Sequence, residues 1–139
     1  MPDTNETPAV EKKKILIVDD EAMFTRMVRM NLEQSGLYEV KEENRAPHAL
    51  IAAREFKPDL ILLDVIMPGM DGGELANQFK HDSILRKTPI VFLTATVSKS
   101  EAKETGYMSG GYLFLAKPVS LKVLLKTVED HLSKSDNSA

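Results

Sequence analysis

Asp19, Asp20, Asp64, Thr94 and Lys117 are the residues of this chain whose types and spacing could do chemistry together. Each closes or directly follows a short apolar run: Ile15–Val18, Leu60–Leu63, Pro89–Leu93 and Tyr112–Ala116. Carboxylates gathered at one place repel, and each raises its neighbours' affinity for protons. A hard divalent cation relieves that conflict. With oxygen ligands and no cysteine in the chain, Mg2+ is the natural choice. Mg2+ typically takes one or two carboxylates, keeps water and accepts a phosphate oxygen. A phosphoryl group entering such a site would meet the metal, the Thr94 hydroxyl as donor and the Lys117 ammonium as counter-charge. Asp64, at the end of an apolar strand, is the candidate nucleophile, since carboxylates form covalent aspartyl-phosphates. Taken singly, each residue has a plainer reading. Asp19, Asp20 and Thr94 could cap helices, Asp64 could open a turn, and Lys117 could be a solvated charge. Those readings leave unexplained why all five collect at strand ends.

The elements that must position them follow from periodicity. The runs "ILIV", "LILL" and "PIVFL" are short, continuous and rich in Ile, Leu and Val, as strands buried on both faces of a parallel sheet are. Tyr38–Val40 is more polar and suits an edge strand, and "YLFLA" is a fifth. Helices are predicted between them. The first carries an apolar stripe of Met23, Phe24, Met27, Val28 and Met30 and stops at Gly36, with its methionines read as core or loop packing. The second spans Ala46–Phe56, the third Gly72–Lys80, and a polar fourth Ser98–Met108 contains Gly106. The fifth is marked by Leu121, Leu124, Leu125, Val128 and Leu132. Five βα units imply a doubly wound α/β fold, a five-stranded parallel sheet with helices on both faces. Ligands of such sheets bind outside the carboxyl ends of the strands, where the five residues fall.

At 139 residues the chain fits one domain with a core of its own. Residues 1–12 and 134–139 are polar and are predicted to be disordered tails, with the folded domain over 13–133. A net charge of -3 supplies no basic field for nucleic acid, and no apolar stretch is long enough to span a membrane. The absence of cysteine suits a reducing compartment, so a cytoplasmic protein is expected. His48, His81 and His131 are isolated and read as surface residues.

With those residues in order, the chain resembles the receiver domain of bacterial two-component response regulators, of the single-domain chemotaxis type. The matching stretches are "ILIVDDE", "DLILLDVIMPGMDG", "PIVFLTA" and "LAKPV", and the likeness runs from about Lys14 to Leu132. The resemblance implies a flavodoxin-like sheet in the order 2-1-3-4-5. It implies that Asp19, Asp20, Asp64 and the backbone carbonyl of Ile66 bind Mg2+, and that Asp64 is the phospho-acceptor. Thr94 and Phe114 would be the switch pair, Lys117 would pair with the phosphoryl group, and the Lys117-Pro118 bond would be cis. The phosphoryl donor would be a histidine kinase or a phosphorelay His domain. The output would leave through the face of helix four, strand five and helix five to an unknown protein, from a monomer or a phosphorylation-dependent dimer. Such a protein signals rather than turning over a substrate. Tyr112 and Leu113 depart from the family pattern, which is polar there. They make either a longer buried strand or an apolar patch on the output face. Three other readings remain open. An aspartate-nucleophile phosphatase would want a D-x-D pattern after its first strand, and a flavin carrier a phosphate loop there. The third is a receiver fold that acts as an interaction module without phosphorylation.

Overall fold

The computed structural model describes residues 11–95 and 107–137. In chain order they form β1 (Lys13–Val18), α1 (Ala22–Glu33), β2 (Tyr38–Glu43), a 3-10 turn (Ala46–His48), α2 (Ala49–Phe56), β3 (Leu60–Asp64), α3 (Gly72–Lys80), β4 (Ile90–Thr94), β5 (Tyr107–Ser109), β6 (Tyr112–Ala116) and α4 (Leu121–Asn137). The sheet order is β2-β1-β3-β4-β6-β5. Every pairing is parallel except that of β5 with β6. The architecture is the expected doubly wound, flavodoxin-like α/β fold.

The continuous apolar runs are buried because side chains alternate between two covered faces. Ile15, Ile17, Leu60, Leu62, Val91 and Leu93 pack with Val28 and Leu32 of α1 and Leu124, Val128 and Leu132 of α4. Leu16, Val18, Ile61, Leu63, Ile90 and Phe92 pack on the other face with Ala49 and Ala53 of α2 and Leu75 and Phe79 of α3. Arg54 of α2 reaches the chain beyond α3, where its Nε lies 2.5 Å from Asp82 Oδ2. The other oxygen of Asp82 accepts the backbone N–H groups of Ile84 at 2.8 Å and Leu85 at 3.2 Å.

Four expectations need correction. The predicted helix Ser98–Met108 falls largely outside the described residues, and its end, Tyr107 and Met108, is strand. Gly110 and Gly111 both hold positive φ, 57° and 87°, and join β5 to β6 as a two-residue hairpin. Such a turn needs left-handed residues at both central positions, and glycine adopts them without steric cost. The sheet is therefore six-stranded and mixed, and the predicted fifth strand is β6. The methionine stripe of α1 does not face the core. Thr25, Val28 and Leu32 do, whereas Met23 is 88% exposed and Met30 65%. Phe24 and Val28 of the expected stripe do pack on the core, so the helix turns those side chains inward and its methionines outward. Pro47 gives the second helix a 3-10 first turn, because a missing N–H is harmless only there. Finally, α4 runs on to Asn137, into the segment expected to be a tail. Tyr112 and Leu113 are partly buried, Tyr112 edge-on to Phe92 at 5.1 Å between centroids. They extend the strand inward rather than forming a fully open patch.

Gly72 fixes how α3 meets the sheet. Its N–H donates to Val65 O at 2.6 Å, and a Cβ there would lie 2.5 Å from Asp64 O and 2.9 Å from Val65 Cα. Asp71 caps the helix beside it, accepting from Glu74 N at 2.8 Å. Gly72→Ala must push α3 off the end of β3, and a loss of about 1–3 kcal/mol is expected, as for other overpacked sites. Urea denaturation measures it; a stability equal to wild type would show that this contact does not set the packing.

Candidate functional site

The carboxyl ends of β1 and β3 bring three acids together. Asp19 is fully buried, Asp64 is buried and Asp20 is exposed, and each offers an oxygen within 4.8 Å of the others. Local bonds explain why Asp19 stands where it does. Its backbone N–H bonds Glu43 O at 3.1 Å, continuing the pairing of β1 with β2. Its carbonyl accepts Asn44 Nδ2 at 2.8 Å, and the same amide donates to Thr25 Oγ1 at 2.9 Å. Its Oδ1 accepts the N–H of Glu21 at 2.9 Å, tying the carboxylate to the start of α1. Glu21 holds the N-cap position but makes no side-chain cap bond. Asp19 supplies the local carboxylate bond instead.

Lys117 enters from the other side. Its backbone N–H donates to Thr94 O at 2.9 Å, which joins the ends of β4 and β6. Its ammonium lies 2.5 Å from Asp19 Oδ2, 3.1 Å from Glu21 Oε1 and 3.6 Å from Asp64 Oδ1. The Phe24 ring is centred 4.6 Å from the same nitrogen. Burial lowers the Lys117 pKa, but the bonds and charges of Asp19 and Glu21 outweigh it, so the net shift is upward and the cation persists. The Lys117-Pro118 peptide is cis. Thr94 is buried at the end of β4, and Phe114 stacks on Phe92 at 4.8 Å. Ile66 gives a backbone hydrogen bond to Asp64, and its side chain is exposed.

One ammonium does not neutralise this cluster. Asp64 is pushed up from 3.8 to about 6, first by burial and then by the charge of Asp19, against the opposing pull of Lys117. Asp19 Oδ2 is buried and faces the Lys117 charge without a well-aligned hydrogen bond. Buried oxygen donors, surplus negative charge and the absence of cysteine fit a hard divalent cation. Of the residues singled out in the sequence, the structure brings Asp19, Asp20, Asp64 and Lys117 into one cluster and sets Thr94 and Ile66 at its border. Glu21, Phe24, Thr25 and Asn44 were not foreseen. The acidic run "DDE" was the available signal for Glu21; the position of Asn44 depends on tertiary pairing.

A mostly parallel sheet with an acidic triad and a lysine at the carboxyl ends of its parallel strands defines a class, and comparison with known proteins agrees. The response regulator receiver domain matches residues 15–129, and the chain belongs to that family. It is 40% identical over 131 residues to the phosphate regulon transcriptional regulatory protein PhoB of Pseudomonas aeruginosa, covering 91% of this chain and 56% of PhoB. The chain thus spans little more than half of that relative's length. It is 32% identical over 120 residues to the polar-differentiation response regulator DivK of Brucella anthropi, covering 86% of this chain and 96% of DivK. The solved chemotaxis response regulator CheY4 of Vibrio cholerae superposes with a TM-score of 0.73 at 34% identity, over 87% of this chain and 99% of CheY4. No helix among the described residues is long and apolar enough to cross a membrane.

The raised Asp64 pKa has a sign that can be tested. A carboxyl that binds its proton more tightly when folded stabilises the fold at low pH, and that contribution is lost as pH rises through about 6. Without metal, Asp64→Asn should therefore be more stable than wild type at pH 7.5. The expected gain is about 1–3 kcal/mol, toward the lower end where solvent screens the site. The gain should shrink as pH falls through about 6 toward 4. Urea melts in a chelator at several pH values measure it. A pH-independent difference would show that burial and Asp19 do not act on Asp64 as described.

Proposed function

We propose that Asp64 accepts a phosphoryl group in a Mg2+-dependent reaction from a histidine kinase or a His phosphotransfer domain. The observation that carries this reading is the position of Asp64: buried beside Asp19, within 3.6 Å of the Lys117 ammonium, at the open edge of the sheet. In the reaction one Asp64 oxygen attacks phosphorus with its electron pair. The new P–O bond replaces the P–N bond of a phosphohistidine, and the imidazole leaves with the electrons of that bond. Asp19, Asp20, Asp64 and the Ile66 carbonyl would hold Mg2+, which supplies positive charge to the phosphoryl oxygens. Lys117 neutralises a phosphoryl oxygen, and the Thr94 hydroxyl donates to another. The modification adds roughly -1.5 to -2 charges to a cluster already in excess of negative charge. The contacts of Lys117 and Thr94 therefore separate the two states of the domain.

The output face in this reading lies along β6, its hairpin and α4. A groove of about 300 Å³ there is lined by Leu113, Val123 and Thr127 together with Lys122, Lys126 and His131. The donor would approach over the first turns of α1, directly after the acid pair. There Met23, Met27 and Met30 expose flexible apolar side chains that suit a helical partner. The protein acts in this reading as a signalling domain in the cytoplasm, with no direct contact to nucleic acid.

Intact mass after incubation with a small-molecule phosphodonor tests the reaction. One Mg2+-dependent phosphoryl adduct is expected, absent in Asp64→Ala. Failure to form it in a folded wild-type protein would favour an interaction module that works without phosphorylation. Met23→Asp with Met27→Asp should slow transfer from a phosphorylated His domain by about ten-fold or more, equivalent to the ~1.4 kcal/mol lost with one apolar anchor. The rate with the small phosphodonor should stay unchanged. Equal slowing with both donors would place the methionine effect in the site rather than in docking.

A further inference from the structure

Lys117 is drawn to two places. The reading above requires its ammonium at a phosphoryl group on Asp64. In the structure Asp64 is the most distant of its three carboxylate partners, at 3.6 Å, while Asp19 lies at 2.5 Å and Glu21 at 3.1 Å. Phe24 presents its ring to the same nitrogen at 4.6 Å.

We infer that Glu21 and Phe24 form a holding site for Lys117, so that Glu21 is a positioning residue that competes with the phosphorylated Asp64 for the ammonium. The inference rests on the phospho-acceptor reading of Asp64 only for the second of these two places; the holding site itself is a contact of the unmodified domain. Four observations carry it. The Lys117 side chain is only 12% exposed, whereas Glu21 is 64% exposed, so Glu21 is an accessible acid leaning onto an enclosed cation. The contact is a hydrogen bond across 96 residues of sequence and links α1 to the end of β6. The root of Glu21 is fixed, because its N–H is bonded by Asp19 Oδ1. Glu21 and Phe24 stand three residues apart where α1 begins, a spacing that lets both act on one neighbour. A cation over an aromatic face and beside a carboxylate is held by both electrostatically.

The consequence has a definite sign. Neutralising Glu21 weakens the hold on Lys117 in the unmodified state and leaves its phosphoryl contact intact. Glu21→Gln should then bind the phosphoryl analogue beryllofluoride, with Mg2+ present, about two- to five-fold more tightly, the range of a partly exposed ion pair. A simple loss of negative field near an anion would give the same direction, so the cycle with Lys117→Gln decides. If Glu21 acts through Lys117, the gain disappears when Lys117 is already Gln; if it acts through the field, the gain persists. Amide NMR titration of the four proteins measures this. A second readout needs no phosphoryl chemistry. In the metal-free protein the Lys117 Cε protons should be shifted upfield by the Phe24 ring, and should move toward their random-coil position in Phe24→Leu and in Glu21→Gln. Unchanged Lys117 signals in Glu21→Gln would overturn the holding site whether or not Asp64 is phosphorylated. Lys117 signals that move as expected, with no beryllofluoride binding by any of the four proteins, would uphold the holding site and overturn instead the phospho-acceptor reading.

Discussion

Negative charge withdrawn from water at the carboxyl edge of a parallel sheet is the constraint on which this structure depends. Asp19 is fully buried and Asp64 nearly so, and the Lys117 ammonium stands between them. Buried charge is costly unless paired, so the surroundings are built to share it. Asp19 is satisfied on one oxygen by a backbone N–H and faces Lys117 with the other. Asp64 receives a backbone bond from Ile66 and still binds a proton more readily than an ordinary aspartate. The imbalance is local, with the Lys117 ammonium as the cation drawn into it. That is the condition under which a bound cation can change the energy of the domain.

The rest of the fold holds the two halves of this balance in place. The acids hang from β1 and β3, central strands whose side chains are buried on both faces. The lysine and the threonine hang from β6 and β4. Backbone bonds between Lys117 and Thr94, and between Val65 and Leu93, stitch these ends together. Gly72 lets α3 begin against the carbonyl of Asp64 itself. A side chain at that position would move the backbone that carries the acid, so packing and chemistry share one residue.

Much of this was legible in the sequence because the strongest signals are the least dependent on tertiary context. Runs such as "ILIV" and "LILL" can be buried on both faces only in a covered sheet, and the acids directly after them are then fixed in space by chain connectivity. Gly72–Lys80 was bounded correctly because Asp71 caps it locally. The hairpin was missed although Gly110-Gly111 between extended residues is a turn signal. That local signal competes in the sequence with a helical pattern that runs up to Met108, and the structure puts Tyr107–Ser109 in a strand. The α1 methionines misled for a different reason. Hydrophobic character says that a side chain can be buried, not that it is, and the rotation of a helix is set by its partners. Glu21 and Phe24 could not be connected to Lys117 from sequence, since 96 residues separate Glu21 from it and only the strand order brings them together.

The departure at β5 changes what the strand before Lys117 packs against. Lys117 follows β6 directly, and β6 pairs on one side with β4 and on the other with β5. Phe114 lies opposite Phe92 in the first pairing and opposite Tyr107 in the second. Its ring stacks on Phe92, which also packs edge-on against Tyr112. A packed array of rings responds to displacement by changing arrangement rather than by bending continuously. The hairpin therefore stands one strand's length from the charged cluster and is joined to it through hydrogen-bonded pairs and stacked rings. Any movement of Lys117 large enough to shift its backbone has to be accommodated in that array.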